Sequence, residues 1–321
     1  MLNPEGIMVP IVTPFCNNAI DFDAAQRIAY DLANEGVHGI IVCGTTGEAA
    51  ALDDHEQTAL LCAVMEAVGS RCPVLMGVSG SNTRLVAEKI ASFNQYAPAG
   101  FLLSPPSYVR PSQNGILLHF QAVAARTDLP IVIYNIPART GVNIATETVV
   151  ALATDPQFVA IKESSGNLTQ LAEIINSKSL KVLSGDDALF LSTLRLGGHG
   201  AISAAAHIRP DLFLRVYELM KLGEVEQATS IFNGLLALIR LLFSEPNPGP
   251  IKAALAMQGK LQQNLRLPMT TMSRAGQEQL AKTLEDVMAL PIYEDQSSAR
   301  WIEATTIEKR SLGEGVFQTA M

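Results

Sequence analysis

Short apolar runs rich in valine and isoleucine alternate with amphipathic stretches along most of the chain. The first four runs are GIMVPIVTPF from Gly6, GIIVCGTTG from Gly39, PVLMGVSG from Pro73 and AGFLLSPP from Ala99. The next four are PIVIYNIP from Pro130, FVAIKESSG from Phe158, LKVLSGDD from Leu180 and HGAISAAA from His199. They recur at roughly 20 to 35 residues, the length of a βα unit. Near-continuous apolar strands are covered on both faces, as in parallel sheets.

The stretches between the runs read as helices. Asp53 is placed to cap one, with Glu56 three residues on as its capping-box partner. Leu60, Leu61, Val64, Met65 and Val68 then fall at helical spacing, and Gly69 stops the run. Thr146 is placed to cap another helix, ending near Asp155 just before Pro156. Eight such units predict an α/β fold, a (β/α)8 TIM barrel. No GxGxxG follows the first run, which argues against an open dinucleotide-binding sheet. After the eighth run the pattern is all helical, with helices expected over about 211–223, 224–243, 249–258 and 276–289. The expected division is a catalytic barrel over 1–223, a C-terminal helical domain over 224–290 and a loose polar tail over 291–321.

Composition narrows the function classes. The chain has 321 residues, of which 48% are apolar, and a formal charge of −8 with no Lys/Arg block, which argues against nucleic acid as a partner. An acidic substrate must therefore be caught by local cations. The cysteines Cys16, Cys43, Cys62 and Cys72 show no paired spacing and read as reduced, mostly packed thiols of a cytoplasmic protein. There is no CxxC and no HExxH, so no metal site is expected. No charged leader precedes an apolar segment, and no apolar run is read as reaching the roughly 20 residues of a membrane span.

In this fold active sites lie at the C-terminal ends of the strands. That rule selects Gly44 to Glu48 after the second run and Tyr134 to Pro137, then Arg139, after the fifth. It also selects Lys162 in the sixth and Ser184 to Asp187 in the seventh. Alternation puts Ala160 and Lys162 on one face and Val159 and Ile161 on the other, with the bulkier pair suited to the helix-packed outside. Lys162 then points into the barrel. An inward Tyr134 would sit on the neighbouring strand, about 4.8 Å away backbone to backbone. Loss of solvent disfavours an ammonium ion, and a free amine attacks a ketone to form a Schiff base. The iminium is an electron sink that permits proton loss at the adjacent carbon, and Tyr134 with a threonine hydroxyl would serve as proton relay.

Each of these residues also has a plainer reading. A strand-end lysine can snorkel to solvent, and a lone tyrosine is commonly a packed aromatic. Gly44 to Glu48 can be only a turn or a weak anion nest. Arg139 can be a surface ion-pair partner, and Asp186 and Asp187 can be helix caps.

Taken together, the motifs resemble those of the dihydrodipicolinate synthase and N-acetylneuraminate lyase superfamily of Schiff-base aldolases. They are GTTGE from Gly44, SYVRPSQNG from Ser107, YNIPARTG from Tyr134, IKESSGNL from Ile161, LSGDDA from Leu183 and LGGHGAIS from Leu196. EPNPGPIK from Glu245 and LRLPMT from Leu265 extend the likeness, which runs from about Ile7 to about Ala289. The resemblance implies a homotetramer whose covalent intermediate needs no separate cofactor. Lys162 would be the Schiff-base residue for pyruvate and Tyr134 the proton donor and acceptor. Thr45 would pass protons on, and Tyr108 would complete the relay from a neighbouring subunit. Thr46 and the Ile202 backbone would hold the pyruvate end, Arg139 the carboxylate of the aldehyde substrate, and Gly185 would line the pocket.

Arg139 and Thr140 in the IPxRT context, with the EPNP and LRLPMT stretches, resemble the synthase branch. That branch implies condensation of pyruvate with L-aspartate 4-semialdehyde to 4-hydroxy-tetrahydrodipicolinate, the entry to diaminopimelate and lysine. The alternatives are an aldolase or dehydratase acting on another 2-oxo acid, such as a keto-deoxy sugar acid, and a non-catalytic barrel. The positions aligned with the family's lysine-inhibition pocket depart from its pattern: they are Ser107, Ser81, Leu85, Asp54 and Gln57. Weak or absent lysine feedback is the expectation.

Overall fold

All eight predicted runs form strands, and the computed structural model describes residues 2–291. β1 (Gly6–Pro10) is followed by a small hairpin of β2 (Phe15–Cys16) and β3 (Ala19–Ile20). Then come β4 (Gly39–Val42), β5 (Val74–Val78), β6 (Gly100–Leu103), β7 (Ile131–Asn135), β8 (Phe158–Glu163), β9 (Lys181–Ser184) and β10 (Gly200–Ile202). β1 and β4 to β10 pair in parallel in chain order, and β10 returns to β1 to close the barrel. At that seam Gly6 faces Gly200, whose φ is +145°, and a Cβ there would lie 2.6 Å from the Gly6 nitrogen. Only glycine lets the two backbones close.

Helices alternate with the strands: α1 (Phe22–Asn34), α2 (Asp54–Val68), α3 (Thr83–Phe93), α4 (Gln113–Ala124), the single turn α5 (Pro137–Thr140), α6 (Thr146–Leu152), α7 (Leu168–Ser177) and α8 (Phe190–Arg195). α9 (Pro210–Lys221) follows β10, and α10 (Val225–Leu242), α11 (Gly249–Met257) and α12 (Arg274–Met288) continue the chain. α10 packs on α9 and α12, and its buried residues share one apolar cluster with the barrel's outer layer. Inside the barrel Met8, Ile41, Leu75, Leu102, Val132, Ala160, Leu183 and Ile202 contribute one side chain per strand, with Tyr134 on the same face. This filled interior makes the barrel a floor for a site and not a pore. The expected tail lies outside the described residues, save for its first one.

Local rules hold at α2, where Asp53 and Glu56 form the reciprocal capping box and Gly69 ends the helix at φ +58°. Three readings need correction. Thr146 is the first residue of α6, not its cap: Ala145 holds the cap position, and the Thr146 hydroxyl donates to Glu173 at 3.0 Å. The helix also ends at Leu152, short of Asp155. Val159 is not on the outer face. Ile131 pairs with Phe158 but Val132 with Ala160, so Val159 is an extra, unpaired residue that leans on the interior cluster. Alternation is regular only beyond this bulge. Finally, α10 spans 18 residues with a mean hydropathy of 1.2, long and apolar enough by those measures to cross a membrane. Here it is a core helix: Ala228, Ile231, Phe232, Leu235, Leu238, Ile239 and Leu242 are buried at helical spacing.

Candidate active site

The ends of β7 and β8 set the site. Tyr134 and Lys162 are register partners, and both side chains point into the barrel. Lys162 is 6% exposed and Tyr134 is 7% exposed. The Lys162 Nζ lies 4.4 Å from the centre of the Tyr134 ring, a cation–π distance. Among the described residues, none of the ion pairs includes Lys162. The amine therefore has an aromatic face beside it and no counter-charge bound to it.

A cavity of about 250 Å³ opens at this point, lined by Thr45, Thr46, Tyr134, Arg139, Lys162, Gly185 and Ile202. Seven of the eight expected residues are thus brought together from five strand ends. An adjoining hollow of about 300 Å³ shares Thr45, Tyr134, Arg139 and Asn247 and reaches Ser107. Hollows of about 650 and 590 Å³ lie elsewhere, at the first residues of β8 and β9 and along α7 and α8. They are larger, but hold none of the strand-end groups.

Gly185 is required by Lys162. A Cβ at Gly185 would collide with the Ser164 hydroxyl and lie 2.7 Å from Lys162 Cε. The lysine stem passes over the bare backbone, whose N–H donates to Glu163 O at 2.7 Å. Behind the pair, Glu163 accepts from Asn135 Nδ2 at 2.9 Å and from the Ser165 N–H at 2.7 Å. Asn143 and Gln170 extend this buried network, which ties β7, β8 and α7 into one frame.

The loop after β4 is strained. Cys43 and Glu48 take φ of +55° and +52°, left-handed conformations that cost about 1 kcal/mol or more each for such residues. The loop is pinned by Thr13, whose hydroxyl donates to Gly47 O at 2.5 Å, and by Asn247, whose amide donates to Thr46 Oγ1 at 3.0 Å. The Glu48 carboxylate pairs with Lys252, which is wholly buried. Burial pushes the Lys252 ammonium down to about 8, with Glu48 pulling the other way.

Two polar groups of the site were not singled out by pattern reading. Ser164 Oγ and Asn247 Oδ1 line the cavity, buried and without a hydrogen-bond partner among the described residues. Such atoms mark where a ligand's polar groups belong. Asp186 is a cap, accepting from the Ala188 N–H at 3.2 Å. Asp187 is not a simple cap: it is buried, and it accepts from the Ser203 hydroxyl and from the Ala205 N–H at 2.9 Å. Burial raises its pKa from the ordinary carboxylate value, opposed by those hydrogen bonds and by the nearby Lys162 charge. Asn247 stands in the quoted EPNP stretch, the one signal that could have singled it out.

Tyr108 is the expected residue that does not join the others. It is 91% exposed, at φ +72°, with its N–H donating to Thr140 O at 3.0 Å, and it lines neither cavity.

The profile of the dihydrodipicolinate synthetase family matches residues 3–287. A relative from Magnetococcus marinus called 4-hydroxy-tetrahydrodipicolinate synthase is 38% identical over 282 residues, 87% of this chain and 97% of its own. The solved dihydrodipicolinate synthase of Cyanidioschyzon merolae with lysine bound is 37% identical with a TM-score of 0.86, over 89% of this chain and 99% of that one. A structure described as the first monomeric dihydrodipicolinate synthase variant is 32% identical with a TM-score of 0.87, over 89% and 97%.

Proposed function

The chain belongs to the dihydrodipicolinate synthetase family, and we infer that it condenses pyruvate, held as a Schiff base on Lys162, with L-aspartate 4-semialdehyde to give 4-hydroxy-tetrahydrodipicolinate. The observation that carries this reading is the buried Lys162 amine over the Tyr134 ring, inside a cavity rimmed by Arg139.

The Lys162 amine attacks the pyruvate ketone, and water leaves to form an iminium. Tyr134 takes a methyl proton, and the electron pair moves to the iminium nitrogen to give an enamine. The enamine carbon attacks the aldehyde, whose oxygen receives the proton through Tyr134 and Thr45. The amino group of the second substrate then attacks the former ketone carbon, closing the ring and releasing Lys162. The lysine itself supplies the electron sink, so the reaction draws on no resident cofactor. Thr46 and the Ile202 backbone would hold the pyruvate carboxylate. Arg139 would hold the carboxylate of the aldehyde, where a guanidinium offers paired donors.

The exposed Tyr108 ring supports assembly with a second copy that receives it, and a cytoplasmic homotetramer is the reading we propose. Pyruvate with borohydride should leave a reduced adduct on Lys162, found by peptide mass mapping. Turnover with aspartate semialdehyde should far exceed turnover with sugar aldehydes. An adduct on Lys162 with preference for a sugar aldehyde would move the assignment to a sugar-acid aldolase.

A further inference from the structure

We propose that Lys252, through Glu48, is a positioning residue that holds Thr45 and Thr46 at the cavity they line together with Tyr134. This rests on the reading of Thr45 as a proton relay given above.

The loop from Cys43 to Glu48 carries both threonines and is bounded by two left-handed non-glycine residues. Such a conformation persists only where surrounding groups over-determine it. Here the determining groups come from a segment about 200 residues further along. Asn247 donates to the Thr46 hydroxyl, Lys252 pairs with Glu48 Oε1, and the Arg266 N–H donates to Glu48 Oε2 at 3.3 Å. The Arg266 guanidinium also donates to Ala51 O at 2.9 Å, and pairs through two hydrogen bonds with Glu56.

Lys252 is fully engaged. Besides Glu48 it donates to Asn264 O at 2.7 Å, and its Nζ lies 4.3 Å from the centre of the Phe15 ring. Glu48 spends its two oxygens on Lys252 and the Arg266 N–H. A buried ion pair adds little net stability compared with apolar side chains of the same size. What it does add is direction. The carboxylate is fixed at two points, so the Glu48 backbone is fixed too. Thr45 and Thr46 lie three and two residues before it, and the Glu48 N–H donates to Thr45 O at 3.1 Å. Lys252 touches neither cavity, so it acts only through this loop.

The test is proton transfer counted per competent site. Borohydride trapping of labelled pyruvate counts folded sites with a working Lys162. Deuterium uptake into the pyruvate methyl group, followed by proton NMR, reports the relay. The Lys252→Met variant and the double variant Glu48→Gln with Lys252→Met are compared with wild type. The double variant leaves no buried charge unpaired, and counting trapped sites excludes misfolded molecules. Exchange per trapped site should fall about tenfold to a hundredfold in both, since small displacements of a relay group have effects of that size. Exchange per trapped site within about twofold of wild type in the double variant would overturn the proposal. Failure of wild type to trap pyruvate on Lys162 would instead remove the reading of function, and this inference with it.

Discussion

Lys162 and Tyr134 stand side by side at the tops of adjacent strands, the Lys162 Nζ 4.4 Å from the ring centre. Neither residue reaches the other by flexibility. Both are held by strand register, and Gly185 leaves the gap through which the lysine runs.

Replacing either residue should separate two steps. Lys162→Ala should abolish the trapped pyruvate adduct and lower turnover by about 10³-fold or more. Tyr134→Phe should keep the adduct but lower turnover by about 10² to 10⁴-fold, the range for a lost general acid–base group. Equal loss of adduct in both variants would contradict the assignment of roles.

Gly185→Ala should displace Lys162, because the new methyl group would meet Lys162 Cε at 2.7 Å and the Ser164 hydroxyl. Trapping of pyruvate should slow by about tenfold or more. Thermal unfolding should show a loss of about 1–3 kcal/mol, as for overpacking elsewhere. Wild-type trapping rates in this variant would show that the lysine has another path.

Lysine at sub-millimolar concentration should leave the steady-state rate unchanged. Leu85 is 52% exposed and offers no charge. The Ser81 hydroxyl donates to Ser107 O at 2.7 Å, Asp54 pairs with Lys89 at 2.9 Å, and the Gln57 amide donates to Ala49 O and Leu52 O. Groups satisfied within the chain gain little from an incoming ammonium. Inhibition in that concentration range would refute the expectation.

Acid should destabilise the fold through His207. The ring is buried, accepts from the Val12 N–H at 3.2 Å and lies 2.8 Å from Ala204 O. Burial pushes it down to about 4, against an ordinary value of 6.5. Between those values the unfolded chain binds the proton and the folded chain does not. The neutral ring's contribution is complete above about pH 6.5 and fades as pH falls, at about 1.4 kcal/mol per unit. His207→Gln should flatten this slope in urea unfolding measured from pH 7 to 4, whatever its stability at pH 7. An unchanged slope would place the acid sensitivity elsewhere, with His119, also lowered to about 4, as the next residue to test.

The fold was legible because each strand and helix carries its own signature. Apolar runs, turn residues and the Asp53 to Glu56 box act over a few residues, and eight repetitions of one unit leave few architectures. Lys162 and Tyr134 were legible for a related reason: a strand-end position and side-chain parity are local properties. The same logic misjudged Val159, because a bulge is set by pairing with the neighbouring strand. It also misplaced the cap at Thr146, where Glu173 of another helix takes the hydroxyl.

The sequence by itself determined the barrel, the strand ends that bear chemistry and the lysine at their centre, since all follow from short-range periodicity. Only the tertiary structure decided which polar groups meet there. Asn247 reaches Thr46 across 201 residues, and Lys252 reaches Glu48 across 204. Ser164 and Asn247 present unpaired atoms to the cavity, while Tyr108 stands away from it. Contacts between distant segments depend on how the closed barrel brings its loops together. No local pattern records that geometry.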